Sequence, residues 1–159
     1  MKALFVGLGS IGQRHVRNLR HLLGSSIEIL AVRTLRQVPM LDENRNVIKD
    51  VDISTHYRIN EISTLDEALS QRPDVVFITN PSSMHLEIAL KAASAGCHLF
   101  IEKPLNSHLE GVEELIRIVE QKKLVAMVAY QLRFHPGLKK TSTWLKDNRI
   151  GQVVSAHIT

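Results

Sequence analysis

The sequence predicts a doubly wound α/β fold, a parallel sheet with helices on both faces, followed by the start of a second domain. Three observations predict it. Short β-branched runs alternate with segments of helical spacing along most of the chain. The runs are apolar throughout, as strands buried on both faces must be. The first strand passes into the first helix through a glycine-rich turn, and right-handed crossovers would wind the rest around it.

Each element has its own signal. Residues 2–7 (KALFVG) are a short apolar strand. Residues 10–24 carry Ile11, Val16, Leu19, Leu22 and Leu23 at helical spacing, and Gly24 is a C-terminal stop. Residues 27–32 (IEILAV) are a second strand. Residues 33–55 are polar and mixed, with Pro39, and read as a long loop with room for a hairpin. Thr64 and Glu67 form a capping box that opens a short helix, which Pro73 and Asp74 stop. Residues 75–79 (VVFIT) are a third clear strand. Residues 81–96 begin with proline and serines and end with glycine, as helices do. A strand at 98–101, a helix from Ser107 to Lys122 and a strand at 124–130 follow. A last helix runs to Asp147, and residues 152–159 read as a strand.

Composition narrows the function. The chain has 159 residues, 44% of them hydrophobic, enough for a real core. Twenty Lys and Arg against 16 Asp and Glu give a net charge of +4, which suits an anionic small ligand. The basic residues are scattered and only 4% of residues are aromatic, which argues against nucleic acid. The single cysteine, Cys97, allows no intrachain disulfide and reads as a buried structural residue. No apolar stretch approaches the roughly 20 residues of a membrane span. Met1-Lys2 leads directly into a strand without a cleavage site, so the expected location is the cytoplasm. His15, His21, His98, His108 and His157 share no spacing; they read as surface or packing residues, with no metal site.

The turn at Gly7-Leu8-Gly9-Ser10-Ile11-Gly12 is G-x-G-x-x-G between a strand and a helix. Gly7 permits the tight turn, Gly9 lets a pyrophosphate approach the backbone, and Gly12 lets the helix pack on the sheet. Ser10 and Ile11 open the helix, whose free N–H groups favour phosphate. The competing reading is a glycine turn without a ligand. At the end of the second strand an NAD-binding chain carries an acid for the ribose 2′-hydroxyl. Here the segment reads Val32-Arg33-Thr34. An arginine would pair with a 2′-phosphate, so Arg33 and Thr34 favour NADP over NAD, unless Arg33 merely points to solvent.

In such a sheet the ligand crosses the carboxyl ends of the strands. Thr79, Asn80, Pro81 and His85 lie past the third clear strand, Glu102, Lys103 and Pro104 past the next, and Tyr130, Gln131, Arg133 and His135 past the last. These groups are expected to share one cleft. Each has a structural alternative. Asn80-Pro81 is also an ordinary helix start, His85 a surface residue, and Glu102-Lys103 a solvated ion pair.

The motifs Gly7–Gly12, Asn80-Pro-Ser-Ser-Met-His85, Glu102-Lys-Pro104 and Tyr130-Gln-Leu-Arg-Phe-His-Pro136 occur in the order found in the Gfo/Idh/MocA oxidoreductases, which the chain resembles over essentially its whole length. The resemblance implies an NAD(P)-binding Rossmann domain and hydride transfer at a carbinol or carbonyl carbon of a sugar, cyclitol or nucleotide sugar. It places Lys103 beside the nicotinamide as the catalytic residue, donating a hydrogen bond to the reacting oxygen with Glu102 orienting it. It gives cofactor contacts to Gly7, Gly9, Gly12, Asn80, Pro81 and Glu102. It also implies residues 1–130 as the Rossmann domain, 131–151 as a linker helix and 152–159 as the first strand of a C-terminal substrate domain absent from this chain. The chain is then expected to bind dinucleotide without turnover, and residues 152–159 to pair with a second copy as a homodimer. The alternatives are a non-catalytic dinucleotide-binding or regulatory protein, and an unrelated protein using this fold for another nucleotide.

Overall fold

The structure is a computed structural model that describes residues 1–33 and 38–157. Two compact units divide the chain, Met1–Ala129 and Tyr130–Thr159. The first unit runs β1 (Lys2–Val6), α1 (Ser10–Leu23), β2 (Glu28–Val32), β3 (Met40–Leu41), β4 (Val47–Ile48), α2 (Ile53–Tyr57), β5 (Ile59–Ile62), α3 (Leu65–Ser70), β6 (Val75–Ile78), α4 (His85–Ser94), β7 (His98–Ile101), α5 (Val112–Gln121) and β8 (Ala126–Val128). Six strands form one sheet in the order β5-β2-β1-β6-β7-β8. Every neighbouring pair in it is parallel. This is the expected doubly wound fold.

Helices on both sides of the sheet explain why its inner strands β1, β6 and β7 are apolar on both faces. Leu4, Val6, Leu30, Val76, Ile78, Leu99 and Ile101 pack on one side with Ala68 of α3, Ala89 of α4 and Leu115 of α5. Ala3, Phe5, Ile29 and Ala31 face the other side, against Val16 of α1 and Ile53 of α2. On that second side Phe5, Phe77 and Phe100 stand in register across β1, β6 and β7. Their rings stack at 4.5 and 4.9 Å between centroids, within the favourable range for aromatic pairs.

The loop between the second strand and Thr64 holds more order than its sequence suggests. The expected hairpin is present as antiparallel β3 and β4. Helix α2 and strand β5 were not anticipated. Asp52 caps α2 by accepting from the Thr55 backbone N–H at 2.8 Å, but five residues are too few to show a period. Strand β5 is the sheet edge and exposes Asn60 and Glu61, which hides the apolar pattern. The capping box works as read, with Thr64 Oγ1 accepting from the Glu67 N–H at 3.2 Å. The fifth helix begins at Val112, not Ser107. Gly111 stands before it with φ +82°, outside helical space.

The second unit has a 3-10 turn at Gln131–Phe134 and a helix, α6 (Pro136–Lys146). The strand expected at 152–159 is one that pairs outside this chain. Residues 152–157 form no strand. A strand exists only when a neighbour completes its backbone hydrogen bonds, and no described residue supplies one. No helix among the described residues is long and apolar enough to cross a membrane.

Cys97 is buried between α4 and β7, as its reading from the sequence required. Burial, and next the nearby Asp74 carboxylate, push its thiol above the ordinary range. The thiolate is the reactive form, so a disulfide reagent should modify native Cys97 much more slowly than the same residue in urea. Equal rates in an absorbance assay would contradict this placement.

Candidate functional site

The sheet order reverses between β1 and β6, because β1, β2 and β5 wind one way and β6, β7 and β8 the other. Such a switch point leaves a crevice at the carboxyl ends of the strands. Backbone hydrogen bonds set its edge in order. Gly7 N–H donates to Val32 O at 3.0 Å, Thr79 N–H to Val6 O at 3.0 Å and Glu102 N–H to Ile78 O at 2.9 Å. Three of the expected turns are therefore adjacent.

The glycines have distinct reasons to be glycine. Gly7 has φ +98°, and a Cβ there would lie 2.9 Å from the Asn80 backbone. A Cβ on Gly12 would lie 2.4 Å from Gly7 O and 2.9 Å from Thr79 Oγ1. Gly9 is different: a Cβ on it would meet no described residue within 4 Å, and its φ of −65° is open to any residue. Gly7 and Gly12 hold the loop against the sheet, whereas Gly9 faces free space at the N-terminus of α1. Helix α1 has no acidic residue in its first turn and no side-chain cap, so its first N–H groups are left for another acceptor. Ser10 is exposed and Ile11 half-buried at this end.

Thr79 and His85, expected at the cofactor, face inward instead. Thr79 is buried and its hydroxyl donates to Gly7 O at 2.6 Å, so it braces the glycine loop. His85 is 1% exposed, with Nδ1 2.8 Å from Pro104 O and Nε2 2.8 Å from Asn80 O. It ties two loops together. Asn80 is buried, and neither Nδ2 nor Oδ1 of its side chain has a partner among the described residues. A buried orphan amide is costly unless something absent here completes it. Pro81 is exposed beside it.

The Glu102-Lys103-Pro104 turn differs from expectation in one respect. Glu102 Oε1 accepts from His15 Nε2 at 2.7 Å, and its Oε2 accepts from the Lys103 backbone N–H at 3.2 Å. The carboxylate is thus held by α1 and does not orient the lysine ammonium. Lys103 is exposed. His15, read as a surface or packing residue, packs its ring edge-on against Phe100 at 4.8 Å. Its spacing of three residues beyond Gly12 was the available signal.

Arg33 does lie at the end of β2, but Nη2 of its guanidinium is engaged, while its buried Nε has no partner among the described residues. Nη2 donates to Glu61 Oε1 at 2.5 Å and Ser54 Oγ at 3.0 Å, with Asp52 at 3.8 Å. Thr34 lies outside the described residues. Arg133 is exposed on the 3-10 turn of the second unit. Sequence reasoning missed Gln13, whose buried amide donates to Pro39 O at 2.9 Å and accepts from Leu41 N–H at 2.8 Å, fastening the hairpin to α1. It also missed an open cleft of about 470 Å³ between α1 and the hairpin, lined by Ser10, Ile11, Arg14, Arg17 and Arg45 among others. Among the described residues no cluster of His, Cys, Asp or Glu could hold a metal ion.

Residues 1–130 match the model of the Gfo/Idh/MocA oxidoreductase family, NAD-binding Rossmann fold. The chain belongs to this family. It is 34% identical over 118 residues to oxidoreductase P35 of Formosa agariphila, covering 72% of this chain and 36% of that protein. It is 28% identical to an inositol 2-dehydrogenase of Pseudomonas savastanoi pv. phaseolicola, over 99% of this chain and 45% of the relative. Among solved structures, scyllo-inositol dehydrogenase from Lactobacillus casei, with bound NAD(H) and scyllo-inositol, shares the fold at a TM-score of 0.76. That likeness covers 96% of this chain and 43% of the other at 23% identity. This Gfo/Idh/MocA chain spans about two-fifths of the length of the curated relatives it matches.

The glycine geometry separates two substitutions. Gly12→Ala should lower stability by about 1–3 kcal/mol through overpacking, whereas Gly9→Ala should change it by less than about 0.5 kcal/mol. Urea unfolding of both variants reads the difference, and equal losses would show that the loop is misassigned.

Proposed function

We propose that this chain is the dinucleotide-binding part of an NAD(P)-dependent dehydrogenase whose substrate is a sugar, cyclitol or nucleotide sugar. The observation that carries the reading is the free space over Gly9. It lies at the uncapped N-terminus of α1, at the switch point, next to an orphan buried amide on Asn80. These features fit a pyrophosphate and its adjoining groups. The similarity to an inositol 2-dehydrogenase supports the substrate class.

The residues divide the work by position. Gly9 gives the pyrophosphate room against the backbone, and the N–H groups at Ser10, Ile11 and Gly12 supply positive partial charge. Asn80 offers one donor and one acceptor from a buried position, enough to orient a ribose or carboxamide group. When bound, the nicotinamide supplies a hydride acceptor or donor. Lys103 donates a hydrogen bond to the substrate oxygen whose carbon changes oxidation state, which stabilises charge developing there and provides a route for its proton. Glu102, held by His15, keeps that backbone at the cleft edge.

The choice of cofactor turns on Arg33. A free guanidinium would favour a 2′-phosphate, but this one faces Glu61 and Asp52. Two carboxylates against one guanidinium give these three residues a net charge of −1, which repels a phosphate dianion. NAD(H) therefore fits the proposed site better than NADP(H), in place of the sequence-level preference.

Titration by NADH fluorescence tests both parts. NADH should bind the chain, and Gly9→Ala should weaken it at least about tenfold, roughly 1.4 kcal/mol, with the fold intact. NADPH should bind more weakly than NADH, and Glu61→Gln should narrow that gap. Unchanged binding in Gly9→Ala would remove the proposed site, and tighter NADPH binding would remove the cofactor assignment.

A further inference from the structure

Lys103 is exposed, yet the backbone that carries it is held on both sides by histidines from two different helices. On one side His15 Nε2 donates to Glu102 Oε1 at 2.7 Å. On the other, His85 Nδ1 lies 2.8 Å from Pro104 O. His15 sits on α1, whose first turn carries the glycine loop. His85 opens α4, and its Nε2 lies 2.8 Å from Asn80 O. The two rings thus connect the lysine's turn to both of the turns that face the proposed dinucleotide.

We propose that His15 and His85 are positioning residues that fix Lys103 relative to the dinucleotide. This deepens the reading of the same site given above and rests on it.

The chemistry of the contacts supports the assignment. A carbonyl oxygen only accepts hydrogen bonds. Pro104 O and Asn80 O both lie 2.8 Å from ring nitrogens of His85, so the ring N–H donates to a turn carbonyl and the ring is wedged between the two turns. The ring is 1% exposed, which fixes it there. His15 has a different support. Phe100 lies edge-on to its ring at 4.8 Å and Phe77 at 6.2 Å between centroids. Packing on the aromatic ladder sets the ring direction, and Nε2 then meets Glu102. Neither histidine is placed to touch a substrate itself. Both act through the turn, as supporting residues around a reactive group commonly do.

The test separates binding from positioning. Lysines are reductively 13C-dimethylated, which keeps their charge, and the Lys103 signal is identified by its loss in Lys103→Arg. NADH fluorescence reads binding in the same samples. In the unsubstituted chain NADH should bind and move the Lys103 signal. In His15→Ala and in His85→Leu that movement should be lost, while NADH affinity falls by no more than about tenfold. His15→Gln keeps a donor toward Glu102 and should restore the movement, which a purely packing role would not predict. A Lys103 signal that NADH leaves in place in the unsubstituted chain, or moves equally in both histidine variants, overturns the proposal while the cofactor reading stands. No NADH binding at all overturns the cofactor reading as well. Should His85→Leu fail to fold, His15→Ala decides alone: loss of the Lys103 movement is expected, and an unchanged movement overturns the proposal.

Discussion

The close approach of two turns at the centre of the sheet underlies everything at its carboxyl edge. Gly7 and the Asn80 backbone lie so near that one added carbon would stand 2.9 Å from Asn80. Gly12 then brings α1 down on the Gly7 carbonyl, and the Thr79 hydroxyl closes the arrangement by donating to the same oxygen at 2.6 Å. Nothing in this contact recognises a ligand. It fixes the start of α1 beside the end of β6, so that Gly9, the loop glycine with open space around it among the described residues, faces the crevice. The β1–β6 pairing transmits that placement to the core, where Phe5 stacks on Phe77.

A second tier of polar contacts spreads outward from this contact. Gln13 fastens the hairpin to α1 through Pro39 and Leu41. Arg20, near the other end of the same helix, donates to the carbonyls of Gly24, Ile27, Tyr57 and Arg58. Burial, and next the charge of Arg58, lower its guanidinium from the usual value. One helix therefore anchors the glycine loop, the hairpin and the α2–β5 corner, while its His15 reaches the Glu102 turn. Displacing α1 would disturb all of these at once, which explains why Gly12, which lets it pack, is less replaceable than Gly9, which faces the crevice.

Much of this was legible in the sequence, for identifiable reasons. Strands buried on both faces leave unbroken apolar runs, so β1, β2, β6 and β7 announced themselves. The glycine loop was legible because its φ and its close contacts admit only glycine at Gly7 and Gly12. Short elements were not legible. Helix α2 has five residues, and edge strand β5 exposes two of its four. The start of α5 misled because residues 107–111 lack an obvious breaker until Gly111 takes a left-handed turn. Partners across the fold were also hidden. No local pattern joins Arg33 to Glu61, His15 to Glu102, or His85 to both Asn80 and Pro104. Those pairings come from the sheet order, and they changed the reading of Thr79 and His85 from ligand contacts to braces.

The central claim is that a dinucleotide lies over Gly9 at the β1–β6 switch point. Backbone amide shifts during titration of the 15N-labelled chain with NADH test it most directly. The account predicts the largest changes at Leu8–Gly12, at Asn80 and at Glu102–Lys103. Changes confined to the exposed face of α1 around Arg17 and His21, or no changes at all, would contradict it.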